Sequence, residues 1–195
     1  MIPIYKIIGR LSNQMFEFAA LYAWTKDRDI PFFVQDEKYF KKYEDDIRSF
    51  FGHGISPNSI DKVAIHVRLT DYVGNAFYVD LGHHEHGKIQ DNYYVKAMEL
   101  FPNDSFIIFS DDIKSAKTMP MFQGDRFTFS EGNDEISDMN LMANCKSHII
   151  ANSSFSWWAA WLGKHPDQKV IAPKQWFSDH ENEKFIGIPD SWVRI

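Results

Sequence analysis

The stretch HIIANSSFSWWAAWL, residues 148–162, constrains the fold of this chain more than any other segment. An apolar run is followed there by a serine-rich turn and then by an aromatic segment with helical spacing. Strand, turn and helix in this order place the hydroxyls of Ser153, Ser154 and Ser156 beside unpaired backbone N–H groups at a helix N-terminus. Because the helix dipole also favours negative charge at that end, the sequence predicts a binding site for a pyrophosphate.

Short apolar runs alternate with helical spacing along the rest of the chain, which is the pattern of an α/β fold. The predicted strands cover residues 4–8, 31–35, 62–68, 105–110, 126–130, 147–152 and 169–173. The predicted helices cover residues 14–26, 91–100, 114–119 and 132–145, and a last one starts at Trp157. The first helix has one predicted buried face, made of Met15, Phe18, Ala19, Tyr22 and Ala23. Together these elements predict Rossmann-type parallel sheets with helices on both faces.

Composition restricts the classes of partner. The formal net charge of -6 argues against nucleic acid or an acidic membrane, because both require basic patches on the protein. A single cysteine, Cys145, excludes an internal disulfide and a multi-cysteine metal site, and is compatible with a reducing compartment. No apolar run approaches the roughly 20 residues that cross a bilayer, and the start of the sequence lacks a signal-peptide pattern. We therefore expect a cytoplasmic protein without a transmembrane segment.

Four predicted strands end in polar clusters, at residues 9–13, 68–71, 110–112 and 152–156. Ligands of open α/β sheets bind outside the carboxyl ends of the strands, so the four clusters can line a single crevice. The alternative is that each cluster is an ordinary turn, since Gly, Asn, Asp and Ser are favoured in turns. Residues 38–58 mix charged and aromatic side chains, which predicts loop and short helix before the second series of strands.

Arg68 stands at the end of a predicted strand. A guanidinium there can bind two phosphate oxygens and stabilise the charge of a departing diphosphate. The alternative is a surface arginine paired with Asp71, three residues later. His66 lies on the same face of the strand, and we interpret it as a hydrogen-bonded scaffold residue rather than a proton shuttle.

Asp111 and Asp112 allow three interpretations. They can cap the next helix, bind a metal, or accept hydrogen bonds from a purine or a ribose. Further metal ligands are offered nearby only by a cluster of His83, His84, Glu85 and His86. This cluster lacks the helical pair of histidines of a zinc protease, so we expect no metal. Among the aromatic residues after the serine turn, we expect Trp157 and Trp161 in the core and Phe155 against a ligand.

Six motifs occur along the chain in a recognisable order. They are GRLSNQMFEFA, HVRLTDYV, a spaced pattern of His86, Gly87, Tyr93 and Tyr94, FSDD, DMNLMANCKSHIIANSSFSWWAAWL and VIAPKQWF. This set resembles the bacterial α-1,2-fucosyltransferases of glycosyltransferase family eleven. The resemblance implies a GT-B-like enzyme that moves L-fucose from GDP-β-L-fucose to a glycan hydroxyl with inversion, without a required metal or other cofactor.

The resemblance also implies roles for individual residues. Arg68 would hold the β-phosphate with His66 behind it, and Ser153, Ser154, Phe155 and Ser156 would hold the pyrophosphate. Asp111 is the better candidate for the nucleoside, with Asp112 beside it, while Asn13 and Arg10 would reach the fucose or the diphosphate. The proton acceptor stays open among Asp71, His86 and Glu85, and Asp71 can alternatively orient Arg68. Residues 1–60 would form an acceptor-side lobe and residues 61–195 the donor-binding lobe.

The chain departs from the family pattern at three positions and in one length. Leu69 replaces a second arginine, and Thr70 and Ser12 replace glycines. The acceptor-side lobe is also much shorter than in the family, so either a partner chain or a second copy completes it, or the acceptor is bound differently. The alternatives to fucosyl transfer are a catalytically weak GDP-sugar binding module and a transferase that uses another GDP-sugar.

Overall fold

The structure is a computed structural model. The structure describes residues 11–27, 37, 40–56, 60–71, 79, 81, 92–163, 165–179 and 186–195. The helices are α1 (Leu11–Asp27), α2 (Glu44–Phe51), α3 (Tyr93–Glu99), α4 (Ile113–Thr118), α5 (Glu135–Ala143) and α6 (Ser154–Leu162). The strands are β1 (Ile60–Val67), β2 (Phe106–Ser110), β3 (Phe127–Phe129), β4 (Cys145–Ile149), β5 (Val170–Ala172) and β6 (Val193–Arg194). Short 3-10 helices cover Lys41–Tyr43 and Pro120–Phe122.

The six strands form one parallel sheet in the order β3-β2-β1-β4-β5-β6. β1 lies in its middle, where Val63 is in register with Phe106 of β2 on one side and with Ser147 of β4 on the other. The chain builds the sheet outward from β1 to β3, and then returns to the other side of β1 with β4. This reversal between β1 and β4 is the position at which doubly wound sheets open a crevice.

Alternate side chains of the central strands feed two separate cores. Ala64, Ile107 and Phe109 point into a core with α1, α2, α5 and α6. Val63, Ile65 and other side chains of opposite parity point into a second core with α3 and α4. Strands buried on both faces are typical of parallel sheets covered by helices. The predicted Rossmann-type parallel sheet with helices on both faces is therefore confirmed.

The predicted elements that fall on described residues are confirmed in type, with shifted ends. β4 ends at Ile149 rather than at residue 152, and α6 begins at Ser154 rather than at Trp157. α1 begins at Leu11, so part of the predicted polar turn at residues 9–13 belongs to the helix. β6 was not predicted, since two residues are too few to show an alternating pattern. The predicted strands at 4–8 and 31–35 lie outside the described residues.

The predicted buried face of α1 was partly wrong. Phe16 is 4% exposed, and its ring packs 4.7 Å from that of Trp157 and 4.8 Å from that of Trp158. Phe18 is instead 37% exposed and packs edge-on against two rings of α2. Both residues fit a helical repeat with Met15 and Ala19, so spacing alone could not choose between them. Phe16 is the buried residue because it faces the indoles of α6, which offer the larger apolar surface.

Within the described ranges, no helix is both long enough and apolar enough to traverse a lipid bilayer. The proposed boundary between two lobes at residue 60 stays a prediction. The described residues before it supply two helices and a 3-10 turn that pack on the same sheet as the residues after it.

Candidate active site

A cleft of about 780 Å³ opens at the carboxyl edge of the sheet. It lies where β1 and β4 end, at the reversal of the strand order. Its walls come from the ends of β1, β2 and β4 and from the N-terminal turns of α1, α5 and α6. Three of the four predicted polar clusters thus meet in one cleft, and the described part of the first cluster, Ser12 and Asn13, joins them.

Among the described residues that line the cleft, Arg68 supplies the positively charged side chain. It follows β1 directly, and its side chain is only 11% exposed. Its Nε and Nη2 atoms each lie 2.7 Å from Oδ1 of Asp71, and its Nη1 lies 3.2 Å from Oδ2 of Asp111. Two carboxylates therefore fix the plane of the guanidinium at the mouth of the crevice. The ion pair with Asp71, which the sequence offered as an alternative to phosphate binding, is present.

Asp111 accepts hydrogen bonds from the loop that follows Arg68. The backbone N–H of Leu69 donates to Oδ1 at 2.8 Å, and the N–H and hydroxyl of Thr70 both donate to Oδ2, the N–H at 3.2 Å. Burial on its own raises the pKa of the Asp111 carboxyl. The donated hydrogen bonds and the charge of Arg68 outweigh burial, and the pKa lies below its ordinary value of 3.8. Asp111 is thus a charged acceptor that ties the end of β2 to the end of β1.

A second wall is the turn between β4 and α6. Ser153 is the N-cap residue of α6, but its side chain makes no capping hydrogen bond. The Ser154 hydroxyl donates to Oδ1 of Asn13 at 2.7 Å and lies 2.9 Å from the Ser12 hydroxyl. The N-termini of α1 and α6 are therefore joined at the cleft, and both helices direct the positive ends of their dipoles there. Because Ser12 is helical, it does not need the backbone freedom of the glycine that it replaces.

Phe155 lines the cleft, and its ring centroid lies 5.2 Å from that of His66. His66 also lines the cleft and is 3% exposed. The tryptophans of α6 point the other way, into the core with α1 and α2, and each is at most 4% exposed. The predicted core position of Trp157 and Trp161 is confirmed. The predicted contact of Phe155 with a ligand stays a prediction.

A third wall was not predicted. It consists of Asn133, Glu135 and Asp138, at the start of α5. Oδ1 of Asp138 accepts hydrogen bonds from the Ser130 hydroxyl at 2.6 Å and from Nδ2 of Asn133 at 3.1 Å. Glu135 is exposed in the first turn of the helix. The signal available in the sequence is an acidic helix start shortly after a strand, which the helix dipole alone would also favour.

A model of the family described as Glycosyl transferase family 11 matches residues 32–195. The chain belongs to this family. It is 37% identical to an α-1,2-colitosyltransferase of Escherichia coli, over 84% of this chain and 61% of that protein. It is 31% identical to the O-antigen biosynthesis glycosyltransferase WbnK of Escherichia coli, over 92% of this chain and 59% of that protein.

This member of family 11 spans about 60% of the length of those two relatives. The resemblance drawn from the six motifs is thus confirmed at the level of the family. The names of the relatives describe transfer of colitose in one case and a role in O-antigen biosynthesis in the other.

Not every predicted site residue of the family 11 chain reaches the cleft. Ser156 is fully buried, and its hydroxyl donates to the carbonyls of Ala151 and Ser153. It faces inward because α6 starts three residues earlier than predicted. Asp112 caps α4 by accepting from the N–H of Ser115 at 3.1 Å, which fits the capping interpretation. Arg10, Glu85 and His86 lie outside the described residues.

The described residues also bear on a metal site. Among them, no three His, Cys, Asp or Glu side chains lie close enough together to hold a metal ion. The positive groups that line the cleft in this part of the chain are the Arg68 guanidinium and the N-termini of helices.

Proposed function

We propose that this chain is the donor-binding part of a glycosyltransferase that moves a sugar from a GDP-sugar to a glycan hydroxyl. The observation that carries the proposal is that Arg68 and the N-terminus of α6, which has no side-chain cap, line the same cleft. A guanidinium together with the N–H groups of a helix N-terminus suits a diphosphate, which carries negative charge on both phosphates. Membership of family 11 supports the same chemistry.

In the proposed complex, Arg68 binds the β-phosphate and the first turn of α6 binds the neighbouring phosphate. The Ser153 hydroxyl, which makes no capping bond, donates to the same group. Asn13 holds Ser154 in place and reaches the donor from α1. These groups neutralise the charge that develops on the leaving GDP, which is the largest single contribution in many transfer reactions.

The nucleoside occupies the other end of the cleft in this proposal. Asp138 is fixed through its Oδ1 atom by Ser130 and Asn133, so its orientation is set before a ligand arrives. Its carboxylate suits the N–H groups of guanine, and the exposed Glu135 suits the ribose hydroxyls. Asp111, the earlier candidate for the nucleoside, already accepts several hydrogen bonds from residues of the protein.

The transferred sugar is L-fucose in the leading version of the proposal, moved with inversion. The acceptor oxygen bonds to the anomeric carbon on the side opposite GDP, the bond from that carbon to the β-phosphate oxygen breaks, and GDP leaves with the electron pair. The hydroxyl proton passes to a base, for which Asp71, Glu85 and His86 remain the candidates. Because Asp71 receives both an Nε and an Nη2 bond from Arg68, we assign it the orienting role first.

Another sugar is the second candidate, and one comparison favours it. The α-1,2-colitosyltransferase is 37% identical to this chain and is named for the transfer of colitose, which is L-fucose without its 3-hydroxyl. The acceptor is a glycan in either version. Completion of the acceptor side by a second copy or a partner chain is also part of the proposal. The cytoplasmic location expected from the composition is part of the proposal.

Calorimetric titration with GDP, GDP-L-fucose, GDP-colitose and GDP-mannose tests the donor class. We expect GDP and at least one GDP-deoxysugar to bind, and radiolabelled transfer to an acceptor glycan to follow the same preference. Binding without turnover would favour the catalytically weak GDP-sugar binding module. Absence of GDP binding at millimolar concentration would refute both the transferase and the binding module. Arg68→Ala should lower kcat/KM at least about a hundredfold.

The matched control for Arg68→Ala is Arg126→Ala. Arg126 also donates from its guanidinium, to the carbonyls of Phe101 and Asp104, but it lies at the opposite edge of the sheet. We expect unchanged donor affinity and turnover in the control. Equal losses in the two variants would remove Arg68 from the diphosphate role.

A further inference from the structure

The loop of Leu69 and Thr70 connects the cation of the cleft to the carboxylate that holds it. Leu69 is 8% exposed, and its side chain belongs to the core that contains α3 and α4. Its backbone N–H points the other way and donates to Oδ1 of Asp111 at 2.8 Å. Burial of the side chain therefore fixes the direction of this N–H group.

Thr70 donates twice to the other oxygen of the same carboxylate. Its N–H lies 3.2 Å from Oδ2 of Asp111, and its hydroxyl donates a second hydrogen bond to that atom. Nη1 of Arg68 approaches the same oxygen at 3.2 Å. Three donors thus share one oxygen atom, and two of them come from Thr70.

This sharing changes what the guanidinium can do. A carboxylate with no other donors would form a close ion pair with Arg68 and neutralise it, and an incoming phosphate would have to displace that pair. The nitrogen concerned is Nη1, because Nε and Nη2 pair with Asp71 at 2.7 Å. Hydrogen bonds from Thr70 stabilise the negative charge of Asp111 locally and leave Nη1 at 3.2 Å from it. The carboxylate still fixes the direction of Arg68 without taking up its full charge.

We propose that Thr70 is a positioning residue, whose hydroxyl holds Asp111 so that Arg68 is oriented toward the donor diphosphate and remains available to it. The proposal rests on the proposed function, because it takes a diphosphate as the ligand of Arg68. It also explains how the chain manages with one guanidinium in this loop. The Leu69 side chain lies in an apolar core. An arginine at this position, as in the family pattern, could therefore not reach the cleft unless the loop changed its conformation.

Thr70→Val tests the hydroxyl alone, because valine keeps the shape and the backbone N–H. We expect the Kd for GDP to rise about tenfold, the effect of one hydrogen bond to a charged group. Thr70→Ser restores the hydroxyl, and its Kd should lie within about twofold of that of the original chain. Thr70→Gly repeats the test with a second variant that lacks the hydroxyl, in case the valine variant does not fold.

Thr118→Val is the matched control. The Thr118 hydroxyl also donates to an acceptor of the protein, the carbonyl of Ser115 at 2.8 Å, but it lies in α4 and outside the cleft lining. Its loss should leave the Kd for GDP unchanged. The inference is overturned if Thr70→Val and Thr70→Gly bind GDP as tightly as the original chain, or if Thr118→Val weakens binding equally.

A carbon-13 NMR titration of the Asp111 carboxyl provides a readout that general loosening of the fold would not reproduce. The carboxyl pKa should rise toward its ordinary value of 3.8 in Thr70→Val and should stay low in Thr70→Ser. This measurement needs no ligand. If the original chain fails to bind GDP while the carboxyl responds as expected, the proposed function fails and the contact between Thr70 and Asp111 stands. If the carboxyl pKa is unchanged in Thr70→Val, the inference is contradicted, whether or not the original chain binds GDP.

Discussion

Two of the three walls of the cleft, the β1–β2 wall and the β4–α6 wall, differ in the chemical groups that form them. On the β1–β2 wall, a cation and two carboxylates hold one another through side-chain contacts of about 3 Å, and the loop after β1 ties them down. On the β4–α6 wall the polar groups are neutral serines and backbone N–H groups, and the structure behind them is an aromatic core. The β1–β2 wall thus presents charged side chains, whereas the β4–α6 wall presents backbone and hydroxyl dipoles held in place by the core.

This difference has a consequence for single substitutions. A network of charged side chains loses its geometry when one member changes, because a partner is left buried and unpaired. A wall of backbone donors loses little with any one side chain, since the N–H groups remain in place. We therefore expect substitutions of the residues that line the cleft to have large effects on the β1–β2 wall. On the β4–α6 wall, we expect large effects only from substitutions in its base, the aromatic core behind the lining residues.

The base of the β4–α6 wall should give the largest effect. Trp158 is fully buried, and its ring lies 4.8 Å from that of Phe16 and 5.5 Å from those of Phe40 and Phe51. Trp158→Ala should lower the free energy of unfolding by about 3–5 kcal/mol, from lost burial and the cavity left behind. Urea denaturation followed by circular dichroism measures this change.

Two further variants sharpen this prediction. The indole N–H of Trp158 is buried and finds no hydrogen-bond partner in the structure as described. Trp158→Phe removes that donor while keeping a ring, so its cost should be well below that of the alanine variant. Trp192, which is only half-buried against Trp157, is the control position. A loss in Trp192→Ala as large as that in Trp158→Ala would show that the wall does not rest on Trp158.

The β1–β2 wall should give an intermediate effect. In Asp111→Asn an amide NH₂ faces donors that now share a carboxylate, the N–H of Thr70 and Nη1 of Arg68. We expect a loss of about 1–3 kcal/mol in the free energy of unfolding at pH 7, since buried donors lose their acceptor. Urea denaturation measures this loss, with exposed Asp125→Asn as the control.

The pH dependence gives the sign of the same effect. The folded-state pKa of Asp111 is lowered, so its ionised form stabilises the folded chain above the ordinary carboxyl value of 3.8. That contribution is lost as the pH falls through the lowered pKa of the folded state. The difference between the original chain and Asp111→Asn should therefore be constant from pH 5 to 8 and shrink below about 3.8. A difference that grows in acid would contradict a lowered pKa.

Strand ends predicted much of this site. Arg68, Ser153 and Phe155 follow buried apolar runs, and parallel strands bring their carboxyl ends to one edge, so their arrival in the cleft follows from local pattern. The third wall did not follow, because Asp138 reaches the cleft only through the position of α5 after β3. Such a position is set by packing of the helix and not by the spacing of residues.

Backbone groups were the second source of error. The N–H group of Leu69 that donates to Asp111 belongs to the main chain, and the residue type does not reveal it. The start of α6 at Ser154 was missed because serines are frequent in turns, and the earlier start turned the Ser156 hydroxyl inward. Local pattern thus located the cleft, whereas hydrogen-bond directions inside it required the folded chain.

The surface of the β4–α6 wall should give the smallest effect, and this expectation separates the two walls most directly. Ser153→Ala removes a hydroxyl that makes no capping bond, so the usual cost of losing an N-cap residue should not appear in the unfolding free energy. The backbone N–H groups of α6 remain, and the Kd for GDP should rise less than about threefold. Ser105→Ala, just before β2 at the opposite edge of the sheet, is the control and should change neither quantity. A loss of GDP affinity in Ser153→Ala as large as that in Thr70→Val would mean that side-chain hydroxyls, and not helix dipoles, bind the diphosphate on this side.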